Sequence, residues 1–165
     1  MKRIIVIGCP GSGKSRFSRA LHAKTGIPLL HLDMLFWNAD KTTVEKSVFL
    51  DRLSAVLAED TWIIDGNYAS TLELRLAACD TVFFLDYPTD VCLQGIRERR
   101  GKTREDMPWV ETEEDAEFIA FVRGFREEQR PRMLELLEKH GYKNIIVFRT
   151  REEAEEFLHK EKEKH

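Results

Sequence analysis

Apolar residues along the chain fall into five short continuous runs, each followed by a stretch in which apolar positions recur at helical spacing. Such runs predict strands covered on both faces, because a half-exposed strand would alternate apolar and polar side chains. Strands alternating with helices are typical of βαβ units and a parallel sheet. The pattern predicts an α/β fold with strands at about 3–8, 28–32, 61–65, 81–86 and 144–149, and helices at about 14–25, 43–58, 69–77, 90–100, 115–140 and 151–162.

Length and composition are those of a soluble globular protein. The 165 residues suit a single domain, and 42% apolar with 33% charged residues is ordinary for one. A net charge of −3 gives no basic surplus for neutralising a nucleic-acid backbone, so we expect no direct nucleic-acid binding. Three scattered cysteines, no signal-like segment and no long apolar run lead us to expect a cytoplasmic protein without disulfides or a membrane span.

The first predicted strand runs directly into Gly8-Cys9-Pro10-Gly11-Ser12-Gly13-Lys14-Ser15. This stretch matches G-x-x-x-x-G-K-[ST], the phosphate-binding P-loop, in the strand–loop–helix setting that the motif requires. Its glycines let successive N–H groups turn inward, and the next helix adds the positive end of its dipole. We expect Lys14 to contact the β- and γ-phosphates and the Ser15 hydroxyl to ligate Mg²⁺. The predicted nucleotide-binding residues here are Gly8, Pro10, Gly11, Ser12, Gly13, Lys14, Ser15 and Arg16.

An aspartate, Asp33, follows the second predicted strand at the carboxyl edge of the sheet, where ligands bind in open α/β folds. There it could bind an acceptor hydroxyl, act as its base or hold a Mg²⁺-bound water. The alternative is a helix-cap or turn aspartate. The apolar cluster Met34–Trp37 either lines a substrate pocket or packs on the following helix. We predict the acceptor-binding segment at about 33–61.

Two further predicted strands end in aspartate. Asp65 is followed by Gly66, the Walker B arrangement in which the carboxylate holds Mg²⁺, usually through water. Asp86 is followed by Tyr87 and Pro88, which favours a strand leaving for a turn. We therefore predict Asp65, together with Ser15, as the metal ligands.

The ordered set of motifs resembles a known family. Asp65-Gly66-Asn67-Tyr68 is similar to the Asp-Gly-Phe-Pro-Arg element of adenylate kinases, and residues 80–100 resemble the run that leads into their LID. With "GCPGSGKS", "HLDMLFWN", "WIIDGNY", "DTVFFLDYP" and "MPWVE", roughly residues 1–150 resemble the adenylate-kinase-related P-loop proteins commonly labelled DNA topology modulation proteins. The resemblance implies a three-layer α/β/α P-loop NTPase fold of the nucleoside-monophosphate-kinase type. Its five-stranded parallel sheet would have strand order 2-3-1-4-5, and its ligands would be ATP and Mg²⁺.

The same resemblance implies roles for two arginines. Arg99 falls where adenylate kinases carry a phosphate-contacting arginine, at the entrance of a short arginine-rich lid at about 100–115. Arg149 lies in the loop that contacts the adenine in such folds, where it could stack on the base or simply face solvent.

The chain departs from adenylate kinases where they grip the phosphate of the acceptor. Ala69 stands in place of that arginine, and Arg75 could substitute only if it does not face solvent. A nucleoside monophosphate would need a bidentate clamp of this kind. The departure favours a small hydroxyl compound engaged by Asp33, and both acceptor classes stay open.

Three arginines, Arg123, Arg126 and Arg130, are spaced i, i+3 and i+7 in the predicted helix 115–140, which places them on one face. With Arg99 they could neutralise charge on a transferring phosphoryl group. The alternative is a solvated helix whose arginines pair with neighbouring glutamates. Pro131 should kink or end the helix. The opposite face, predicted to pack on the sheet, comprises Phe118, Ile119, Phe121, Val122 and Phe125.

These features predict a single-domain ATP-dependent phosphotransferase, a small-molecule or nucleotide kinase, that acts in the cytoplasm and is a monomer by default. Its predicted catalytic residues are Lys14, Asp33, Arg99, Arg123, Arg126 and Arg130. The alternative is an ATP-binding regulator that acts on DNA topology or on a protein partner.

Overall fold

A computed structural model describes residues 1–99, 108 and 116–163, with side chains up to residue 160. The strands are β1 (Arg3–Gly8), β2 (Leu29–His31), β3 (Trp62–Asp65), β4 (Thr81–Leu85) and β5 (Asn144–Phe148). The helices are α1 (Lys14–Thr25), α2 (Leu32–Phe36), α3 (Lys46–Leu57), α4 (Ala69–Ala78), α5 (Thr89–Arg99), α6 (Ala116–Glu128), α7 (Arg130–Lys139) and α8 (Arg151–Glu163).

The five strands are all parallel and form one sheet in the order β2-β3-β1-β4-β5, which confirms the expected strand order. β1 lies at the centre, and its side chains from Ile4 to Ile7 are fully buried. The register pairs Val6 with Asp65 and Gly8 with Leu85. The loop that follows β1 therefore leaves the middle of the sheet, between the carboxyl ends of β3 and β4.

Helices cover both faces of the sheet because the chain reverses direction across it. The connection from β1 to β2 runs one way and that from β3 to β4 runs the other, so right-handed crossovers place α1 and α4 on opposite faces. α1 contacts α8, and α4 contacts α7. Phe17 of α1 packs at 5.0 Å from the ring of Phe83 in β4. The resulting three layers hold the carboxyl edge of the sheet in place.

The structure corrects several element boundaries. The predicted helix 115–140 is two helices that break at Gln129, with Pro131 in the first turn of α7. Proline lacks the N–H that a continuous helix needs, and the first turn is where its absence costs least. A short helix, α2, follows β2 directly, so Asp33 lies in a helix rather than at a strand end. Phe121 is 40% exposed and does not join the buried face of α6.

The predicted lid at about 100–115 and the "MPWVE" motif lie outside the described residues except for Pro108. Among the helices that the structure does describe, none combines the length and apolar character needed to cross a bilayer.

Candidate nucleotide and acceptor site

The P-loop opens toward solvent at the start of α1. Gly13, the N-cap of α1, has φ 95°, and no side chain of the described residues caps the first N–H groups of the helix. A Cβ added at Gly13 would meet none of the described atoms within 4 Å. Ser12 contributes a buried hydroxyl that has no hydrogen-bond partner among the described residues. Uncapped amides, a helix N-terminus and an unsatisfied hydroxyl are the donors that a phosphate chain would accept from.

On the other side, the P-loop packs backbone to backbone on α5. Gly11 has φ 86°, and a Cβ there would lie 2.1 Å from the carbonyl oxygen of Cys92. A Cβ on Gly95 would lie 2.0 Å from the carbonyl oxygen of Gly11. Contact with the Cys92 thiol, together with burial, raises the pKa of Cys9, so the loop carries a neutral thiol rather than an anion. Only glycine permits this approach at both positions.

Asp65 ends β3 in the buried part of the sheet edge. Its Oδ2 lies 2.7 Å from Nδ1 of His31, which faces it across the β2–β3 register. Asp65 and Ser15 belong to the two segments that leave the adjacent strands β3 and β1. Over the described ranges 1–99, 108 and 116–160, no group of three His, Cys, Asp or Glu side chains could hold a metal. Mg²⁺ would therefore need phosphate oxygens and water as its remaining ligands, as it does in most nucleotide sites.

Asn67 braces the beginning of the P-loop. Its Oδ1 accepts a hydrogen bond from the Gly8 N–H at 3.1 Å, and its Nδ2 donates to the Gly8 carbonyl oxygen at 2.6 Å. The Asn67 carboxamide thus hydrogen-bonds to both backbone polar groups of Gly8, as the backbone of a neighbouring strand would.

Arg75, which could have faced solvent, is completely buried behind the loop after β3. Its guanidinium donates to the carbonyl oxygens of Gly66 at 2.9 Å and Tyr68 at 3.1 Å, and to that of Asn67. Its Nε donates to the Thr71 hydroxyl at 3.2 Å. Burial lowers the pKa of Arg75 to about 9, so it remains protonated at neutral pH. Arg75 is thus committed to the backbone and cannot serve as a clamp for an acceptor phosphate.

Asp33 is held by Tyr68 within an aromatic cluster. The Tyr68 hydroxyl donates to Oδ1 of Asp33. Burial and the Asp33 carboxylate raise the pKa of Tyr68 well above its usual value, so the phenol keeps the proton that it donates. The Phe36 ring lies 4.9 Å from that of Tyr68 and 5.3 Å from that of Phe49. The apolar cluster after Asp33 therefore packs on α3 and on Tyr68, while Met34 remains exposed.

The Asp86 carboxylate binds two of the predicted arginines. Arg130 forms two hydrogen bonds of 2.8 Å with its carboxylate, and Arg126 lies at 3.3 Å. The bond to Asp86 raises the pKa of Arg130. The two arginines converge even though they belong to different helices, while Arg123 is exposed on α6.

A cavity of about 330 Å³ opens beside this cluster at the carboxyl ends of β4 and β5. It is lined by Asp86, Pro88, Thr89, Arg126 and Arg149. The cavity lies on the β4 side of the P-loop, whereas Asp33 follows β2 on the other side, so the phosphate loop stands between the cavity and this carboxylate.

The other predicted residues lie around the same edge. Lys14 and Ser15 are half-buried in the first turn of α1, Pro10 is half-buried in the loop, and Arg16 is exposed. The Arg99 guanidinium lies 5.6 Å from the ring centroid of Phe118, at the end of α5 that leads to the predicted lid.

Four residues of the site were missed or misread in the sequence. Asn67 and Tyr68 appeared there only as part of a family motif, Arg75 as a substitute clamp for an acceptor phosphate unless it faced solvent, and Asp86 as a residue where the strand leaves for a turn. A signal existed for Asn67 and Tyr68, because they come two and three residues after Asp65, the predicted Walker B aspartate at a strand end. The role of Asp86 depends on partners 40 and 44 residues away, which no local pattern indicates.

Comparison with known proteins shows similarity to solved shikimate kinases. One, from Bacteroides thetaiotaomicron, has a TM-score of 0.56 and 20% identity, over 98% of this chain and 96% of that chain. Another, from Acinetobacter baumannii and solved in complex with shikimate, has a TM-score of 0.61 and 16% identity, over 96% of this chain and 91% of that chain. No protein-family model and no curated protein sequence matches the chain. At these identities the similarity establishes the fold, and it confirms the α/β P-loop kinase-like architecture expected from the sequence.

Proposed function

We propose that the protein is an ATP-dependent phosphotransferase of a hydroxyl-bearing small molecule. One observation carries the proposal: an open P-loop lies between a cavity on the β4–β5 side and a positioned carboxylate, Asp33, on the β2–β3 side. Phosphoryl transfer needs a donor and an acceptor on either side of the transferred group, held in line. The arrangement offers a cavity for the donor and a carboxylate for the acceptor.

Each group of residues has a role in this proposal. Lys14 and the loop amides bind the β- and γ-phosphates, and the cavity beside Arg149 receives the nucleoside. Ser15 and Asp65 hold Mg²⁺, which would supply charge neutralisation at the phosphate oxygens. Arg126 and Arg130, aligned by Asp86, provide positive charge on the nucleoside side, and Arg99 at the end of α5 and Arg123 on α6 add to it. Asp33 orients the acceptor hydroxyl and accepts its proton.

A hydroxyl compound without a phosphate is the acceptor class that the residues favour. Ala69 offers no cation, and Arg75 is buried against backbone carbonyls. A carboxylate beside aromatic rings suits a hydroxylated molecule with an apolar face. The Acinetobacter baumannii kinase of the same fold was solved with shikimate, a small-molecule ligand. We extend the proposal to a cytoplasmic, monomeric, single-domain enzyme.

The test is ADP production from Mg·ATP against nucleoside monophosphates, nucleosides, sugars, cyclic polyols and shikimate. We expect turnover with a non-phosphorylated hydroxyl compound, and a loss of at least about 10²-fold in Lys14→Ala. Lys160→Ala is the matched control, because Lys160 is exposed and, among the described residues, pairs with Glu156 at 3.3 Å. Absence of both ATP binding and turnover in the wild type would refute the proposal.

The alternative of a regulator that acts on DNA has weaker support. Asp86 engages Arg126 and Arg130, which neutralises part of the charge on the arginine face that DNA phosphates would need. A gel-shift titration discriminates, because DNA binding through phosphates weakens steeply with salt. Tight, salt-sensitive binding would favour the regulator.

A further inference from the structure

We propose that Gly66, Asn67 and Tyr68 form one positioning element, pinned by Arg75, that fixes the P-loop and Asp33 relative to each other. The proposal rests on the proposed function, since it explains how the donor and acceptor halves of that site keep their alignment. None of the three loop residues is assigned to contact the reacting atoms.

Arg75 is buried against the loop that follows β3. Three consecutive carbonyl oxygens, those of residues 66, 67 and 68, point at a single guanidinium with no exposure to solvent. The planar guanidinium has enough N–H donors to bind these three carbonyl oxygens and the Thr71 hydroxyl together. The ammonium group of a lysine could not reach all four acceptors at once. Tyr68 has φ 27°, a conformation that non-glycine residues rarely adopt and that persists only where the surroundings enforce it.

Asn67 contacts the P-loop, and Tyr68 contacts Asp33. Asn67 binds both the N–H and the carbonyl of Gly8. From the opposite side Gly8 is confined by β4, because a Cβ there would lie 2.7 Å from the carbonyl oxygen of Leu85. Tyr68 holds the carboxylate of Asp33. Adjacent residues therefore govern the phosphate half and the acceptor half of the site.

The bond between Asn67 and Tyr68 links the position of Gly8 to that of Asp33. Asn67 and Tyr68 are consecutive, so a shift of the backbone between them displaces Gly8 and Asp33 together. Phosphoryl transfer depends strongly on the separation of donor and acceptor, and errors of about 1 Å are costly. A guanidinium that pins all three carbonyls removes this freedom.

The experiment compares Asn67→Ala, Tyr68→Phe and Arg75→Lys by two readouts that need no acceptor: affinity for a fluorescent mant-ATP in Mg²⁺ and hydrogen exchange at single amides. Asn67→Ala should weaken mant-ATP binding about tenfold and speed exchange at the Gly8 amide. Tyr68→Phe should leave mant-ATP binding within about twofold and speed exchange at the Trp37 amide, which donates to the Asp33 carbonyl at 3.0 Å. Arg75→Lys should weaken mant-ATP binding and speed exchange at both the Gly8 amide and the Trp37 amide.

The double variant Asn67→Ala/Arg75→Lys separates positioning from general stabilisation. If Arg75 acts through Asn67, the double variant binds mant-ATP no worse than Asn67→Ala alone, within about twofold. Additive losses would overturn the proposal, as would unchanged Gly8 exchange in Asn67→Ala. If Arg75→Lys fails to fold, Asn67→Ala and Tyr68→Phe still test whether the loop residues position Gly8 and Asp33. Asn144→Ala, Tyr142→Phe and Arg132→Lys are matched controls at exposed positions.

The two proposals fail in different ways. If the wild type does not bind mant-ATP, the proposed function fails, while exchange at the Gly8 and Trp37 amides still tests the positioning element. If mant-ATP binds and exchange at both amides is unaffected by all three variants, the positioning element fails and the proposed function stands.

Discussion

The two sides of the P-loop hold it by different physical means. On the β3 side a side chain, Asn67, hydrogen-bonds to Gly8, and Arg75 supports it from behind. On the β4 side the backbone of Gly11 rests directly on the backbone of α5 at Cys92 and Gly95. Hydrogen bonds can be weakened by degrees, whereas a contact between two backbones admits no added volume.

The aspartates at the ends of β3 and β4 show a matching electrostatic difference. Asp65 bonds to a single imidazole, that of His31, which brings at most one positive charge to the carboxylate. Asp86 bonds to Arg126 and Arg130, and two guanidiniums exceed its single charge. The β3 side is therefore the less positive of the two and the better suited to a metal ion, and the β4 side suits the anionic phosphates of a nucleotide.

Substitution of Asp65 should have the largest effect. Asp65→Asn removes the charge that would hold Mg²⁺, and we expect kcat to fall by about 10²–10³-fold with a higher Mg²⁺ requirement. The measurement is ADP production over a Mg²⁺ titration. Asp86→Asn is the comparison, and its Mg²⁺ requirement should stay near that of the wild type. The reverse pattern would show that the metal belongs to the β4 side.

The backbone contact between the P-loop and α5 is tested by Gly95→Ala. Alanine usually stabilises a helix relative to glycine by about 0.5–1 kcal/mol, but here its Cβ would meet the Gly11 carbonyl. We expect a net loss of about 1–3 kcal/mol in the free energy of unfolding and weaker Mg·ATP binding. Urea denaturation and mant-ATP titration measure the two effects.

Gly124→Ala is the matched control for that substitution. The nearest described atoms to its Cβ would be those at the flexible end of the Glu128 side chain, at 3.3 Å, so the ordinary helix gain should appear. If both alanine variants were equally stable, the contact between α5 and the P-loop would not be the tight fit described above.

The ion cluster of the β4 side should give a moderate effect on stability. Asp86→Asn leaves Arg126 and Arg130 without their carboxylate, and breaking a buried pair costs about 3–5 kcal/mol. The arginine side chains are 42% and 24% exposed, so water screens part of the loss, and we expect about 1–2 kcal/mol. Urea denaturation measures it. A loss no larger than that of Glu135→Gln, at a surface pair of 3.4 Å, would contradict this estimate.

The fold and the P-loop could be predicted from the sequence because both depend on local patterns. Continuous apolar runs predicted the five strands, and glycine with lysine at fixed spacing predicted the loop. The surroundings of the loop could not be predicted in the same way. Arg75 resembles any helical arginine in the sequence, and its burial follows from the carbonyls that the loop after β3 directs inward.

The arginine face of the predicted helix 115–140 shows the same limit. Helical spacing placed Arg123, Arg126 and Arg130 on one face, but the break at Gln129 puts Arg130 in α7. Arg126 and Arg130 nevertheless meet at Asp86, because α6 and α7 pack together beside the end of β4. The pairing depends on tertiary packing rather than on periodicity.

The smallest expected effect concerns Asp80, which precedes β4 at the end of the strand away from the site. Its Oδ2 accepts hydrogen bonds from the N–H groups of Lys2 at 3.0 Å and Arg3 at 2.9 Å. Desolvation raises the pKa of Asp80, but hydrogen bonds from Thr81 and from the two amides outweigh it, and the net pKa is lowered. The stabilisation is therefore present above the unfolded pKa of about 3.9 and is lost as the pH falls through the lower folded value.

Asp80→Asn should accordingly cost less than about 1 kcal/mol at pH 7, since Asp80 is exposed and screened by water. The difference from the wild type should shrink as the pH falls below the unfolded pKa and vanish below the lower folded pKa, and mant-ATP affinity should not change, because this carboxylate lies at the opposite edge of the sheet from the P-loop. Urea denaturation over a series of pH values from 7 downward measures the first effect, with Asp60→Asn as the exposed control. A stability difference that did not shrink as the pH fell would mean that Asp80 acts through packing rather than through its charge.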